Sequence, residues 1–487
     1  MPLSLDFDVV ESVVEAMSRL TALAASPSVA KLSTSFVAAG RQLALVGGPV
    51  RDAFLGRAVS DLDFATDATP DEILQIVEPI SSATWDVGRD FGTIGAMIGD
   101  DRIEITTYRA DEYDRETRKP IVAFGTRIED DLLRRDFTIN SMALTLPGLE
   151  LIDPSGGFTD LAEMVLKTPS TPAVSFADDP LRMMRAARFV AQLGVELSPE
   201  VVVAMREQAG SIAMISAERV RDELVKTLVA DDPVPGIRIL VDSGVADHVI
   251  PEIPALVREH DEHGRHKDVY EHSLTVLTKS ISLEKERFPG EAPDVIGRLA
   301  ALLHDIGKPA TRSFDKPSKT VTFYGHDMVG ARMAKKRLTA LRFDGDTITR
   351  TSNLIRLHLR FFGYSEGAWT DSAIRRYVRD AGEELNRLHI LVRSDVTTRN
   401  ERRLVAMGKA YDDLEARIID IRAREEIDAI RPDLDGEQIM KILGIGPSKT
   451  VGDAWSFLLE LRLDEGPLGE AEAETRLRAW ATERGLA

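Results

Sequence analysis

The chain has 487 residues, no cysteine and a formal net charge of −19, from 61 Lys+Arg against 80 Asp+Glu. At about 100–200 residues per domain the length predicts roughly three domains. Without cysteine there can be no disulfide framework, zinc finger, iron–sulfur cluster or thiol nucleophile, and any metal must sit on carboxylate oxygen or imidazole nitrogen.

The acidic balance argues against non-specific nucleic-acid binding as the main role. No apolar run approaches the ~18–20 residues of a membrane span. The first twenty residues, MPLSLDFDVVESVVEAMSRL, carry acids early and no basic stretch, which predicts no signal peptide and a cytoplasmic protein.

Residues 1–40 are apolar at helical spacing and predict a helical segment. RQLALVGGPV is then a short β-type run ending in Gly47-Gly48, and VRDAFLG reads as helix. DLDFAT alternates apolar and acidic residues, the pattern of a half-buried strand. TPDEILQIV carries a helix start, with Thr69, Pro70 at the first helical position, and Asp71 and Glu72 in the first turn. GTIGAMI and DRIEITTYRA predict paired strands. From about residue 160 the β pattern fades. DPLRMMRAARFVAQL, PEVVVAMREQA, AERVRDELVKTLV, PVPGIRILVDSG, VYEHSLTVLTKSI and IGRLAALLHDIG are helical, as is a charged stretch over 401–430, and the tail breaks into short helices at Gly and Pro. The fold class is α+β, a mixed-sheet head followed by a long all-α body.

The histidines divide the chain. None of the nine precedes His248, and eight fall between His260 and His389. Chemistry in the head must therefore rely on carboxylates, arginines and backbone. Asp61 and Asp63 stand at i and i+2 on a predicted strand, so both side chains share a face. Two close carboxylates repel unless a cation neutralises them, which invites Mg²⁺. Glu104 can supply a third from a neighbouring strand. Gly47-Gly48 admits close backbone approach, and the helix that follows points N–H groups at an anion, with Arg51 adding a charge. A lone DxD is ordinarily an exposed strand edge and a lone GG a turn; the combination GGPVRDAFLG then DLDFAT is much more specific.

That combination resembles the signature of the class II tRNA nucleotidyltransferases, the CCA-adding enzymes, and their bacterial poly(A) polymerase relatives. LLRRDFTINSMA, DDPLRMMRAARFVAQLG and SAERVRDEL continue the resemblance in motif order from about residue 40 to 250. It implies a polymerase-β-like head that adds CCA to the 3′ end of tRNA from CTP and ATP without a template, by two-metal nucleotidyl transfer. Asp61 and Asp63 would hold Mg²⁺ with Glu104 as third carboxylate; Gly48 and Arg51 would meet the triphosphate. Arg135 and Asp136 would hold the sugar and phosphate. Asp179, Arg182, Arg185 and Arg188, spaced by three, fall along one side of a predicted helix. Asp accepts from an exocyclic amine and Arg donates to ring nitrogen or carbonyl, so the row can pair with the edge of C or A. In the family, Asp and the first Arg read the base and later arginines contact phosphate. The family usually has Glu-Asp where this chain has Asp178-Asp179; the base-reading Asp179 is kept.

In the body, His272, His304-Asp305 and Asp395 lie on predicted helices and resemble the HD phosphohydrolase domain, with HDIGKP at 304–309 the strongest match. His326 and His358 fit the extra ligands of its two-metal variants. Such a set suits a second divalent metal (Mg, Mn, Ni or Fe), and Lys308 could stabilise a phosphate. His260, His263 and His266 read as a solvated linker. Between residues 332 and 363, eight basic residues face two acids and precede Phe361-Phe362, a tRNA-backbone contact or a charged helix exterior. The tail stretch ILGIGPSKTVG is a backbone phosphate contact or a packing turn between helices.

The expected domains are a helical segment (1–40), the nucleotidyltransferase head (41–165), a helical neck that selects nucleotide and binds RNA (166–255), the HD domain (256–400) and a helical tail (401–487). The alternatives are a poly(A) polymerase, an enzyme adding only A or CC, and, from a different class, an HD metal phosphohydrolase with a degenerate head. The expected partners are tRNA, CTP and ATP and no membrane; the sequence assigns no oligomeric state.

Overall fold

The computed structural model describes residues 13–59, 61–113, 120–258, 269–315, 320–361, 364, 369–396, 400–425 and 431–486. His260, His263, His266 and Phe362 lie outside the described residues. The chain divides into two compact units, one of Met1–Glu223 with Pro235–Val249 and the other of Leu224–Val234 with Ile250–Ala487. No described helix is long and apolar enough to cross a membrane.

In the first unit, two helices, Val13–Ala24 and Pro27–Ala38, precede the sheet. Its strands are β1 (Leu43–Val46), β2 (Leu62–Thr66), β3 (Ala83–Trp85), β4 (Thr93–Ile98) and β5 (Asp101–Thr107). After them come β6 (Arg109–Tyr113) and β7 (Pro120–Phe124), a separate hairpin, then β8 (Ala143–Leu146) and β9 (Leu151–Ile152). The seven-stranded sheet runs β3-β4-β5-β2-β1-β8-β9. Only β2 and β5 pair in parallel; every other neighbour is antiparallel. β1 is buried along its whole length, and on β2 every residue is buried but Asp63, so Asp63 is the one position of these two strands that reaches solvent. Ala44, Val46, Ala65, Tyr108, Ile128, Leu132 and Ala143 close one core beneath it.

The start of the helix Pro70–Val77 follows its sequence. Glu72 takes both the N–H and the hydroxyl of Thr69, each at 2.9 Å, which satisfies a donor left free by the first turn. The helix Leu181–Leu193 buries Met183, Met184, Ala186, Ala187 and Phe189 and ends at Gly194, whose φ of 72° suits glycine. The β pattern does not vanish after residue 160: Val165–Leu166 pairs with Glu196–Leu197, and Ser313–Asp315 with Thr320–Thr322. Both pairings are two or three residues long, too short for a period-2 signal to show.

The second unit is helical. Val269–Arg287, Val295–Leu303, His326–Ala340, Gly345–Leu357 and Leu385–Asp395 form its centre. Glu401–Glu425 is the long charged helix, buried along Met407, Tyr411, Leu414, Ile418 and Ile421. The tail helices Gly436–Leu443, Lys449–Glu465 and Glu470–Glu483 close a core of their own around Leu458, Leu477 and Trp480. Gly444 caps the first of them in the left-handed region, φ 66°, so ILGIGPSKTVG is the turn between two helices.

Candidate active sites

The register of the sheet assembles the carboxylates. Asp63 lies directly opposite Glu104, and direct partners project to the same face. Asp61 stands just before β2 rather than on it, exposed. Burial pushes the Asp63 carboxyl up to about 6; Glu104 and Asp61 add to the rise, and Arg135 and Arg185 oppose it. Like charges close enough to perturb one another, on a half-buried strand, fit a divalent cation.

Arginines gather beside this edge. Gly47, with φ 73°, turns the chain from β1 into the helix Gly48–Phe54. The positive φ there favours glycine, and a Cβ would also crowd an Arg135 nitrogen at 3.1 Å. Arg135 is also held by Asp131 at 3.1 Å. Arg51 forks onto its neighbour Asp52 (2.9 and 3.0 Å) and donates to Asn140 Oδ1 at 2.6 Å. Asn140 in turn donates to Asp136. Asp136 is buried and takes two bonds from Arg185, at 2.8 and 2.5 Å. Burial alone would raise its carboxyl, but Arg185 and Asn140 hold it down at about 2. Arg188 donates to the buried Glu223 at 2.7 Å. The guanidiniums of Arg51, Arg185 and Arg188 ring the face of Phe189 at 4.3–5.7 Å.

Asp179 departs from its expected place. It closes the helix Pro172–Asp178 in an extended conformation and stands outside Leu181–Leu193, because Pro180 breaks the helical run ahead of the arginines. It therefore does not share a helix with Arg182, Arg185 and Arg188. One of its oxygens takes the N–H of Leu181, and the other takes Arg219 at 2.9 Å. Arg182 instead donates to Ser175 Oγ and to the carbonyl of Arg134, at 2.7 and 2.6 Å.

The second unit brings all its expected ligands together, although His304-Asp305 falls in the turn just past Val295–Leu303 rather than on the helix. His272, His304 and Asp395 form one donor group and Asp305, His326 and His358 another, the ligand atoms of each within 4.8 Å of one another. His304, His326 and His358 each turn Nδ1 to the carbonyl three residues back, at 2.9, 2.8 and 2.6 Å. In the neutral ring that bond puts the proton on Nδ1 and leaves the Nε2 lone pair facing inward, the tautomer of a metal-ligating imidazole. The Nε2 atoms of His304 and His272 are 3.2 Å apart, and the buried Nε2 of His358 has no hydrogen-bond partner among the described residues. Two ring nitrogens at that distance, each also facing a carboxylate oxygen (His272 to Asp395 at 3.0 Å, His304 to Asp305 at 3.2 Å), beside an orphaned third, fit a proton or a cation between them. Burial disfavours a charge on His304, but in the metal-free pocket Asp305 and Asp395 outweigh it and hold the ring at about 10, so a proton on Nε2 stands where a cation would. Burial and His304 push His358 down to about 4.

Half of the basic run over 332–363 is engaged within the unit. Arg337 binds Glu252, Arg350 binds Glu384 and Asp346, and Arg360 binds Asp380. Arg356 donates to Asn353 and Phe361 is buried. Arg332, Lys335, Lys336 and Arg342 remain on the surface, because a helix packed on one side exposes only part of any charged row.

Three family models match the chain: the poly A polymerase head domain over residues 43–167, the "Probable RNA and SrmB- binding site of polymerase A" over 194–256, and the HD domain over 269–421. The A-adding tRNA nucleotidyltransferase of Deinococcus radiodurans is 31% identical over 449 residues, which take in 90% of this chain and 96% of that protein. The CCA-adding enzyme of Bacillus pumilus is 41% identical over 221 residues, 45% of this chain and 53% of that protein. The chain thus spans about half the length of this relative. Among solved structures, the Bacillus stearothermophilus CCA-adding enzyme in complex with CTP superposes with a TM-score of 0.65 at 23% identity, over 94% of this chain and 98% of that one. The Thermotoga maritima CCA-adding enzyme complexed with tRNA gives 0.59 at 20%, over 95% and 98%. Both structures match in fold. The Deinococcus match, spanning nearly both chains, decides the family.

This chain is a tRNA nucleotidyltransferase of the poly(A) polymerase family.

As a nucleotidyltransferase it carries Asp61, Asp63 and Glu104 on one edge, with Arg51, Arg135, Asp136 and Arg185 beside them. Asp179 and Arg182 are near in sequence but engaged apart. The sequence reading does not single out Asn140, Asp131, Ser175, Glu223 or Arg219, which hold those residues in place. Asn140 was the most legible of them, four residues after Asp136 within the same motif. A row of arginines on a half-buried helix also requires buried carboxylate partners, and Glu223 within SAERVRDEL meets that need.

Proposed function

We propose that the chain adds CCA to the 3′ end of tRNA, using CTP and ATP without a template. The observation that carries this reading is the row Asp63–Glu104, with Asp61 beside it, flanked by the arginine cluster around Asp136. In this reading Asp61, Asp63 and Glu104 hold Mg²⁺. Bound there, the metal supplies Lewis-acid stabilisation of phosphoryl charge and acidifies the attacking hydroxyl. Arg51, Arg135 and the backbone at Gly48 take the triphosphate; Asp136 takes the sugar and keeps Arg185 oriented; Arg188 supports that helix through Glu223. Asp179 and Arg182 turn to the base once it displaces Arg219 and Ser175. The 3′-oxygen of tRNA bonds to the α-phosphorus as the bond to pyrophosphate breaks. The head is read as 41–165 and the neck as 166–255, with 1–40 as an added helical segment. The work belongs to the cytoplasm.

The HD domain (256–400, with the tail from 401) is read as a metal phosphohydrolase, its ligands His272, His304, Asp305 and Asp395 joined by His326 and His358. Mg, Mn, Ni or Fe suits that set. A second reading of the head, addition of A alone, has the name of the full-length Deinococcus relative behind it. Incubating the protein with Mg²⁺, each NTP and tRNA that ends at the discriminator base separates the two. Ordered C, C, A addition is expected. Addition of A only to tRNA already ending in CC supports the second reading, and unlimited A addition overturns both.

A further inference from the structure

On the far side of the carboxylates from the arginine cluster, the sheet carries a flat aromatic–cationic surface. Trp85 on β3 pairs with Gly95 on β4, Gly95 with Glu104 on β5, and Glu104 with Asp63 on β2. All four positions lie on one row and face the same side. At about 4.8 Å per strand, Gly95 is roughly 10 Å from Asp63. The indole of Trp85 lies flat in the space over Gly95, where a Cβ would fall on the ring. No other residue type leaves that ring its place beside Glu104. Arg102, also on β5 and two residues from Glu104, sets its guanidinium 5.1 Å from the indole centroid and donates to Glu104 at 3.1 Å. Its side chain is 67% exposed.

This row continues the carboxylate edge away from β1 and β8. Arg51, Arg135, Asp136 and Arg185 collect at the β1 end, where Gly47 begins its helix. Phosphoryl transfer brings the attacking and leaving oxygens into line on opposite sides of phosphorus. If the triphosphate lies at the cationic end, the attacking hydroxyl must approach from the other end, over Glu104, Gly95 and Trp85. A single guanidinium already shared with a carboxylate is too little for a triphosphate. It suits one phosphodiester, and a nucleobase stacks on indole and guanidinium planes.

We propose that Trp85 and Arg102 form the seat for the terminal nucleotide of the RNA acceptor. The base stacks on the indole–guanidinium surface, and Arg102 exchanges Glu104 for the backbone phosphate. This exchange frees Glu104 when the acceptor arrives. The inference rests on the nucleotidyltransferase reading of the head.

Steady-state kinetics with tRNA lacking its CCA end test it. In Trp85→Ala and Arg102→Ala the KM for tRNA rises about tenfold, while the KM for the NTP stays within about twofold. Trp85→Phe keeps most of the affinity, since a phenyl ring still offers a stacking face. Arg102 is exposed, so its variant folds even if Trp85→Ala does not. A tRNA KM unchanged in Arg102→Ala, or in Trp85→Ala where that variant folds, overturns the proposal and leaves the pair a packing contact. An equal rise in the NTP KM also overturns it, by giving the surface to the nucleotide. If the wild-type protein transfers no nucleotide to any tRNA, the head reading fails first, and this inference falls with it.

Discussion

Burial, Glu104 and Asp61 hold the Asp63 carboxyl near 6 against an ordinary value of 3.8, so at neutral pH the metal-free head carries an anion it would rather protonate. A folded-state pKa above the unfolded one contributes stability that is full below pH 3.8 and is lost as pH rises through about 6. Asp63→Asn removes the charge at every pH. The metal-free variant should therefore be more stable than wild type at pH 7.5, by at most about 3 kcal/mol at 1.36 kcal/mol per pKa unit. The gain should fade toward pH 4, while nucleotide addition is lost throughout. Thermal melts in EDTA at the two pH values read this directly; a variant melting lower than wild type at pH 7.5 would show that Asp63 is stabilised, not strained, in the empty site. Residues of this kind were legible because one motif carries them: DLDFAT holds both aspartates, and Glu104 is the acidic residue that alternation puts on the next strand. Asp179 was less so. Its spacing from Arg182 fits one helical face, but Pro180 intervenes, and a proline between two periodic residues outweighs their period.

At the scale of elements, the helices were visible where one apolar face repeats over ten residues or more, as in DPLRMMRAARFVAQL. They were invisible in their joints. Arg298 shows why. It sits in IGRLAALLHDIG, where helical spacing marks it only as one polar residue among apolar ones. The structure buries it to 1% exposure. Its guanidinium forks onto Glu284 at 3.0 and 3.1 Å and reaches the carbonyls of Leu228 and Ala230 at 2.9 and 2.8 Å. One side chain thus ties Val295–Leu303, Val269–Arg287 and the end of Ala217–Leu228, contacts that no local pattern encodes. Arg298→Ala leaves Glu284 with only the N–H of Asp294 in place of its cation and takes a donor from two carbonyls, a loss of about 3–5 kcal/mol. Arg332→Ala, on the exposed face of His326–Ala340, should change stability by no more than about 0.5 kcal/mol. Comparing the two urea midpoints tests whether burial, and not charge alone, sets the cost; equal shifts would refute it.

Across the whole molecule, the net charge of −19 and the histidine distribution lead to one arrangement. The acidic surplus belongs to the chain as a whole, whereas arginines of the first unit are concentrated around Asp136 and Phe189, where they pair with the carboxylates they face. Each metal-type site lies within its own compact unit, the carboxylates in the first and the His–Asp cluster in the second. They share no residue, so each can be removed alone. Asp61→Ala should lower nucleotide addition by at least about a hundredfold while leaving metal-dependent release of phosphate from a phosphoester at the wild-type rate. Asp305→Ala should do the reverse. Asp305 takes Lys308 at 2.8 Å and faces His304, His326 and His272 at 3.2, 3.3 and 3.4 Å, so its loss also leaves four cationic or metal-binding groups without the carboxylate they share. The second variant should therefore bind less divalent metal per chain, as counted by atomic absorption after dialysis. Loss of both activities in either single variant would overturn the separation, because it would require one site to depend on the other. Wild-type metal content in Asp305→Ala would remove Asp305 from the ligand set.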